Sequence, residues 1–187
     1  MIFTKLKIPL FIAVGLVVLF IVVYFGGVLF LPAATQPASD ANVGTADASF
    51  VGTRPPYFDL PNLAGDHVTL GDFPDTPVLV VFWSTWDAAA ADQVKILDDY
   101  LASPSPILAK VIAIDSQEER SVVISFMRRG GYRVPTLVDA LGSVSEAYHI
   151  KSLPTFYFIN AEGLVVATYS GVLSAKAIGD RVEQILK

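Results

Sequence analysis

The side chains able to do chemistry in this chain converge on one stretch, Trp83-Ser84-Thr85-Trp86-Asp87-Ala88-Ala89-Ala90, which closes the apolar run that begins at Pro77. Two tryptophans three apart, where a buried strand passes into a helix, mark the rim of a site. Asp87 is the ionisable group within it. As a general acid or a ligand, Asp87 would need a histidine or a second carboxylate beside it, and the stretch supplies neither. As a helix N-cap it needs nothing more: Asp is among the best caps, contributing about 1 kcal/mol over Ala. The residue types therefore favour Asp87 as the cap of a helix whose first turn is Ala88–Ala90. The cysteine count is zero, which excludes disulfides, thiolate metal sites and thiol catalysis by this chain. His67 and His149 lie far apart and form no His-x-x-x-His pair, so no metal site is expected, and no cofactor site either. Arg128 and Arg129 fall where a helix ends, a place that favours cations, and read as a solvated terminus.

The elements that position this stretch are legible from Arg54 onward. "YFDL" and "HVTL" flank an Asn/Gly/Asp region as the arms of a hairpin. Pro77 to Trp83 is a continuous β-branched run, as in a strand covered on both faces. Ala88 to Ala102 carries Val94, Leu97 and Leu101 at helical spacing and stops at "SPSP". Lys110 to Asp115 is a second buried strand. "EERSVVISFMRRGG" begins with acids and ends with cations and glycine, matching the helix dipole at both ends. Val134 to Asp139 is a third strand and "GSVSEAYHI" a short helix. "LPTFYFIN" and "LVVATYSG" form a hairpin around "AEG", and "SAKAIGDRVEQILK" closes as an amphipathic helix. Strands alternating with helices, then a hairpin and a helix, specify an α/β sandwich with a mixed central sheet.

With the motifs in place, residues 54–187 resemble the thioredoxin-like superfamily, in particular the membrane-tethered TlpA/ResA-type thiol–disulfide oxidoreductases, or redoxins. "PPYFDLPNLAGDHVTLGDF" is similar to that family's N-terminal β-hairpin, and "FWSTWDAAA" to its Trp-x-Thr-Trp-Cys-x-x-Cys segment. "YRVPTLVDALGSVSEAYHI" is similar to its βα insert, and "SLPTFYFINAEGLVVATYSG" to its cis-proline loop with the following hairpin. The resemblance places the redox cysteines on Asp87 and Ala90 and the cis-proline on Pro154, preceded by Leu153. It places the buried carboxylate of thioredoxins on Val81, with Glu118 or Glu119 matching a glutamate of the insert. Without a thiolate, the family's exchange reaction has no nucleophile. Trp83 is expected in the core and Trp86 on the surface. Trp86, Asp87, Ala88, Leu153 and Pro154 would form an edge where relatives dock an extended peptide through its backbone.

The flanking segments add a setting. Ile8 to Leu31 is free of charge for 24 residues, about 36 Å as a helix and long enough to span a bilayer. A signal peptide would have a shorter apolar core and a better cleavage box than "LPAAT". The run therefore reads as one uncleaved transmembrane helix (8–31), with residues 1–7 cytoplasmic because Lys5 and Lys7 precede it. Residues 32–53, small and polar, read as a flexible linker reaching about 26 Å, and residues 54–187 as the extracytoplasmic domain of a bacterial envelope protein. Lys5 and Lys7 aside, 11 basic and 18 acidic residues leave −7, which argues against nucleic acid or anionic lipid as partner. The expectation is a non-catalytic module that binds an extracytoplasmic protein or peptide. Its rival is an enzyme or enzyme subunit of the thiol–disulfide oxidoreductase group, working through Asp87 or through a cysteine-bearing partner.

Overall fold

The computed structural model describes residues 48–103 and 109–185, Ile185 by its backbone alone. Its framework follows from the apolar runs. β3 (Val78–Trp83) is buried at all six positions, because its side chains alternate between two separate cores. Leu79, Val81 and Trp83 enter one, and Val78, Val80 and Phe82 the other. Around β3 a five-stranded sheet runs in the order β5-β4-β3-β6-β7. β4 (Lys110–Ser116) and β5 (Thr136–Asp139) are parallel to β3, whereas β6 (Thr155–Ile159) and β7 (Val165–Ser170) are antiparallel. This is the mixed sheet that the sequence pattern predicts. β5 starts two residues later than the run from Val134 suggests. Pro135 has no N–H to give the ladder, although its carbonyl still accepts from Ala113 N at 2.8 Å.

Helix α1 (Ala88–Leu101), helix α2 (Arg120–Gly130) and helix α4 (Ala175–Ile185) close the first core with Val94, Leu97, Val123, Met127, Ile178 and Val182. The buried Gln93 ties α1 to the segment before α4: Nε2 donates to Leu173 O (3.0 Å) and Oε1 accepts from Leu173 N (2.7 Å). The second core is covered by the hairpin β1 (Asp59–Pro61) and β2 (His67–Thr69) and by the short helix α3 (Ser143–Ala147). Its aromatic centre is Tyr148 and Tyr157, edge to face at 5.0 Å. Both hydroxyls are satisfied by carbonyls, Tyr157 on Tyr148 O (2.6 Å) and Tyr148 on Pro56 O (2.9 Å).

The folded part extends upstream of Arg54. Ala48–Phe50 form a 3-10 turn, Val51 bridges to Val165, and Phe50 packs near Tyr148 and Tyr157. The end of the stretch read as linker thus carries one aromatic and one β-branched residue that the domain uses. The span 8–31, and with it residues 1–7 and most of the linker, lies outside the described residues. Among the described residues no helix is long and apolar enough to cross a membrane.

Candidate functional site

The site forms where the parallel strands end and α1 and α2 begin. At the end of β3, Trp83 is fully buried, its ring 5.4 Å from that of Phe126. The chain then turns outward, and Trp86 is 62% exposed. Asp87 has an extended backbone and caps α1, its Oδ1 accepting from Ala90 N at 2.9 Å. Ala88 is exposed, whereas Ala90 is wholly buried in the first core. Opposite the turn, the Leu153–Pro154 peptide is cis, Leu153 half-buried and Pro154 buried. The Pro154 carbonyl is taken by Gly171 N (2.9 Å).

Between these parts runs a groove of about 530 Å³, lined among others by Trp86, Asp87, Gln117, Leu141, Glu146 and Leu153. Leu141, on the α3 side, is 92% exposed. Of the five docking candidates the structure brings Trp86, Asp87 and Leu153 to one groove, while Ala88 and Pro154 do not line it. Gly142 also lines this groove. Its φ is +74°, and a Cβ there would lie 2.7 Å from the Gln117 side chain, so any larger residue would be both strained and crowded.

Beneath the turn lies a carboxylate layer. Glu118 receives two hydrogen bonds from Thr85, N–H to Oε2 and Oγ1–H to Oε1, both at 2.5 Å. Thr85 stands between the two tryptophans, so Glu118 fastens the turn to the start of α2. Glu119 caps α2 by position, without a side-chain bond, and faces solvent. Of the two glutamates suggested by resemblance, Glu118 is the one at the turn. Asp115 pairs with Trp83 in the β3–β4 register and lies on the same sheet face by alternation. It is fully buried, and neither carboxyl oxygen finds a hydrogen bond among the described residues. Among the described residues Trp83 Nε1 and Ser84 Oγ, at the end of β3, are also buried without hydrogen-bond partners. Burial, then the neighbouring Glu118 and finally Asp139, push the Asp115 carboxyl up to about 9, so it is neutral at pH 7. Asp139, at the end of β5, is buried but satisfied by Ser145 N (2.7 Å) and Ser145 Oγ (2.8 Å).

Sequence reasoning passed over Asp115 and Asp139. The available signal was common to both: an acid closing an otherwise apolar strand, "KVIAID" and "TLVD". Val81 is in the middle of β3 in the first core, so the position matched to the thioredoxin carboxylate is apolar. The histidines are apart from this site. His67 Nδ1 is 2.7 Å from Asp59 on the exposed hairpin, and the His149 ring lies 5.2 Å from Phe50. Arg128 and Arg129 are exposed in the last turn of α2, which Gly131 ends at φ +70°.

Comparison with known proteins agrees with this geometry. The model of the AhpC/TSA family matches residues 51–168. The thiol-disulfide oxidoreductase ResA of Bacillus subtilis is 27% identical over 134 residues, covering 72% of this chain and 75% of ResA. The structure of StoA from Bacillus subtilis superposes with a TM-score of 0.60 at 18% identity, covering 67% of this chain and 96% of StoA. A secreted thiol-disulfide isomerase from Corynebacterium glutamicum gives a TM-score of 0.61 at 18% identity, over 70% of this chain and 83% of that one. At such identities the structural likeness establishes the thioredoxin-like fold.

Proposed function

We infer that this chain, which belongs to the AhpC/TSA family, is a thioredoxin-like redoxin domain that docks an extended segment of another protein and does not itself exchange disulfides. One observation carries the reading. The two positions matched to thiols hold a helix-capping carboxylate and a buried methyl group, Asp87 and Ala90, while the groove beside Trp86 and the cis Leu153–Pro154 peptide is retained. A carboxylate at the head of α1 enjoys the same dipole and free N–H groups that would stabilise a thiolate, but it cannot attack a disulfide. The exposed ring of Trp86 and the half-buried Leu153 offer apolar contacts on either side of an extended backbone.

In the same reading residues 8–31 anchor the chain in a bacterial membrane and the domain faces the extracytoplasmic side. The charge-free run and the preceding Lys5 and Lys7 support this orientation.

The full chain is expected to show no catalysed reduction of a protein disulfide by dithiothreitol; turnover above the uncatalysed rate would overturn the reading. Docking is checked with an unfolded, alkylated model polypeptide, whose binding Trp86 fluorescence should report and Leu153→Ala should weaken. Unaltered binding by that variant removes the docking part. Asp87→Cys combined with Ala90→Cys should form a reversible disulfide, seen as a 2 Da mass loss (two hydrogens). A folded double variant that never oxidises would show that these are not the matching positions.

The buried Asp115 beside the half-buried Glu118 favours one alternative, a subunit that lends an acid to a cysteine-bearing partner. Turnover seen only with such a partner, and diminished by Glu118→Ala, would select it.

A further inference from the structure

A second cleft lies at the opposite end of β4 from Asp115. It opens between the Asn62–Ala64 turn of the hairpin, the first residues of β4 and β5, and the Tyr132–Pro135 loop, and it holds about 430 Å³. That is within the roughly 300–1,000 Å³ of small-ligand sites. Its walls include Leu63, Val68, Ile112, Met127, Val134 and Leu137. A thioether among branched aliphatic side chains makes such a wall adaptable.

Among the described residues two charged side chains line the cleft, Lys110 and Arg133, both cationic and both exposed, and no carboxylate does. Lys110 Nζ stands 5.3 Å from the centroid of the Phe73 ring. Neither cation forms an ion pair with a described residue. Asp98 accepts the backbone N–H of Arg133 at 2.6 Å rather than its guanidinium. The residues after Lys7 carry a net negative charge, yet the two charged groups described at this cleft are both cations. They define what complements the cleft: an apolar body carrying one anionic group.

We propose that this cleft binds a small amphipathic carboxylate, with its apolar part against the aliphatic wall and its carboxylate paired with Lys110 and Arg133. The residues differ from those of the Trp86 groove, so this site stands or falls independently of the docking reading.

The test is calorimetric titration of the full chain in nonionic detergent with 4-phenylbutyrate and with 4-phenyl-1-butanol, which has the same body without the charge. The carboxylate should bind about tenfold more tightly than the alcohol, as a charge-assisted contact predicts. Lys110→Gln with Arg133→Gln should abolish that difference, and raising the salt should narrow it. Both substitutions are at exposed positions, and circular dichroism confirms that the variant is folded. Absence of binding at millimolar 4-phenylbutyrate, equal binding of the alcohol, or an undiminished preference in the folded double variant would each overturn the proposal.

Discussion

The Trp86–Ala90 turn and the layer immediately beneath it have different chemistry. On the outside, an acid that serves the backbone and three alanines occupy the helix start, and among the described residues no side chain there has an acid–base partner. Underneath, Asp115, Glu118 and Asp139 gather at the ends of β4 and β5, with Asp115 held neutral by burial. The contrast teaches that the surface of a site and its support are separable. An Asp at this position keeps the helix capped, whereas the acids beneath are built into strand ends and the turn's own hydrogen bonds.

The largest effect should come from the buried side of this contrast. Asp115→Asn removes a carboxyl that the fold keeps protonated. Its folded pKa, about 9, lies above the ordinary Asp value of 3.8. The folded state therefore binds more protons between those values, and stability falls as pH rises through that window. The variant should be more stable at pH 7 by up to about 4 kcal/mol, roughly 1.4 kcal/mol for each pH unit between 3.8 and 7, and should lose the slope. Chemical denaturation at pH 5, 7 and 9 checks this; a wild-type slope retained by the variant would contradict the assignment.

Next is the bond between the two layers. Glu118→Ala deletes both acceptors of Thr85 and should cost about 1–3 kcal/mol. Faster amide exchange at Thr85 and Trp86, with α4 unaffected, would show the turn released. Asp87→Ala should cost only about 1 kcal/mol, the value of a cap. A much larger loss would mean that Asp87 does more than close α1. Smallest in stability is Trp86→Ala, within about 0.5 kcal/mol for an exposed side chain, yet it should weaken docking of an extended polypeptide. Equal binding by the variant would make the exposed ring incidental.

Much of this was legible in the residues. The run Val78–Trp83 has no polar position and therefore demands cover on both faces, which the two cores provide. Asp87 before an alanine run and Gly131 after paired arginines are local cap signals, satisfied within a few residues of chain. Hairpin arms, helices and the burial of Trp83 follow from the same short-range patterns, whereas the exposure of Trp86 was implied by the resemblance.

Asp115 was not legible in this way. An Asp ending a strand is usually solvated, and its burial arises only in the assembled sheet, where Trp83 of β3 pairs beside it and Glu118 and Asp139 come near. The choice of Glu118 over Glu119 was likewise decided by packing. Adjacent residues point in different directions, and the fold alone determines which one meets a turn 33 residues earlier.

By itself, then, the sequence determined the order of elements, the caps, and the absence of any thiol, because these depend on composition and neighbours along the chain. Only the tertiary structure decided that Trp86, Asp87 and Leu153 share a groove, that a fully buried acid, Asp115, lies near Glu118, and that Lys110 and Arg133 border a separate cleft. Those outcomes depend on desolvation and on distances between segments far apart in the chain, quantities that no local pattern contains.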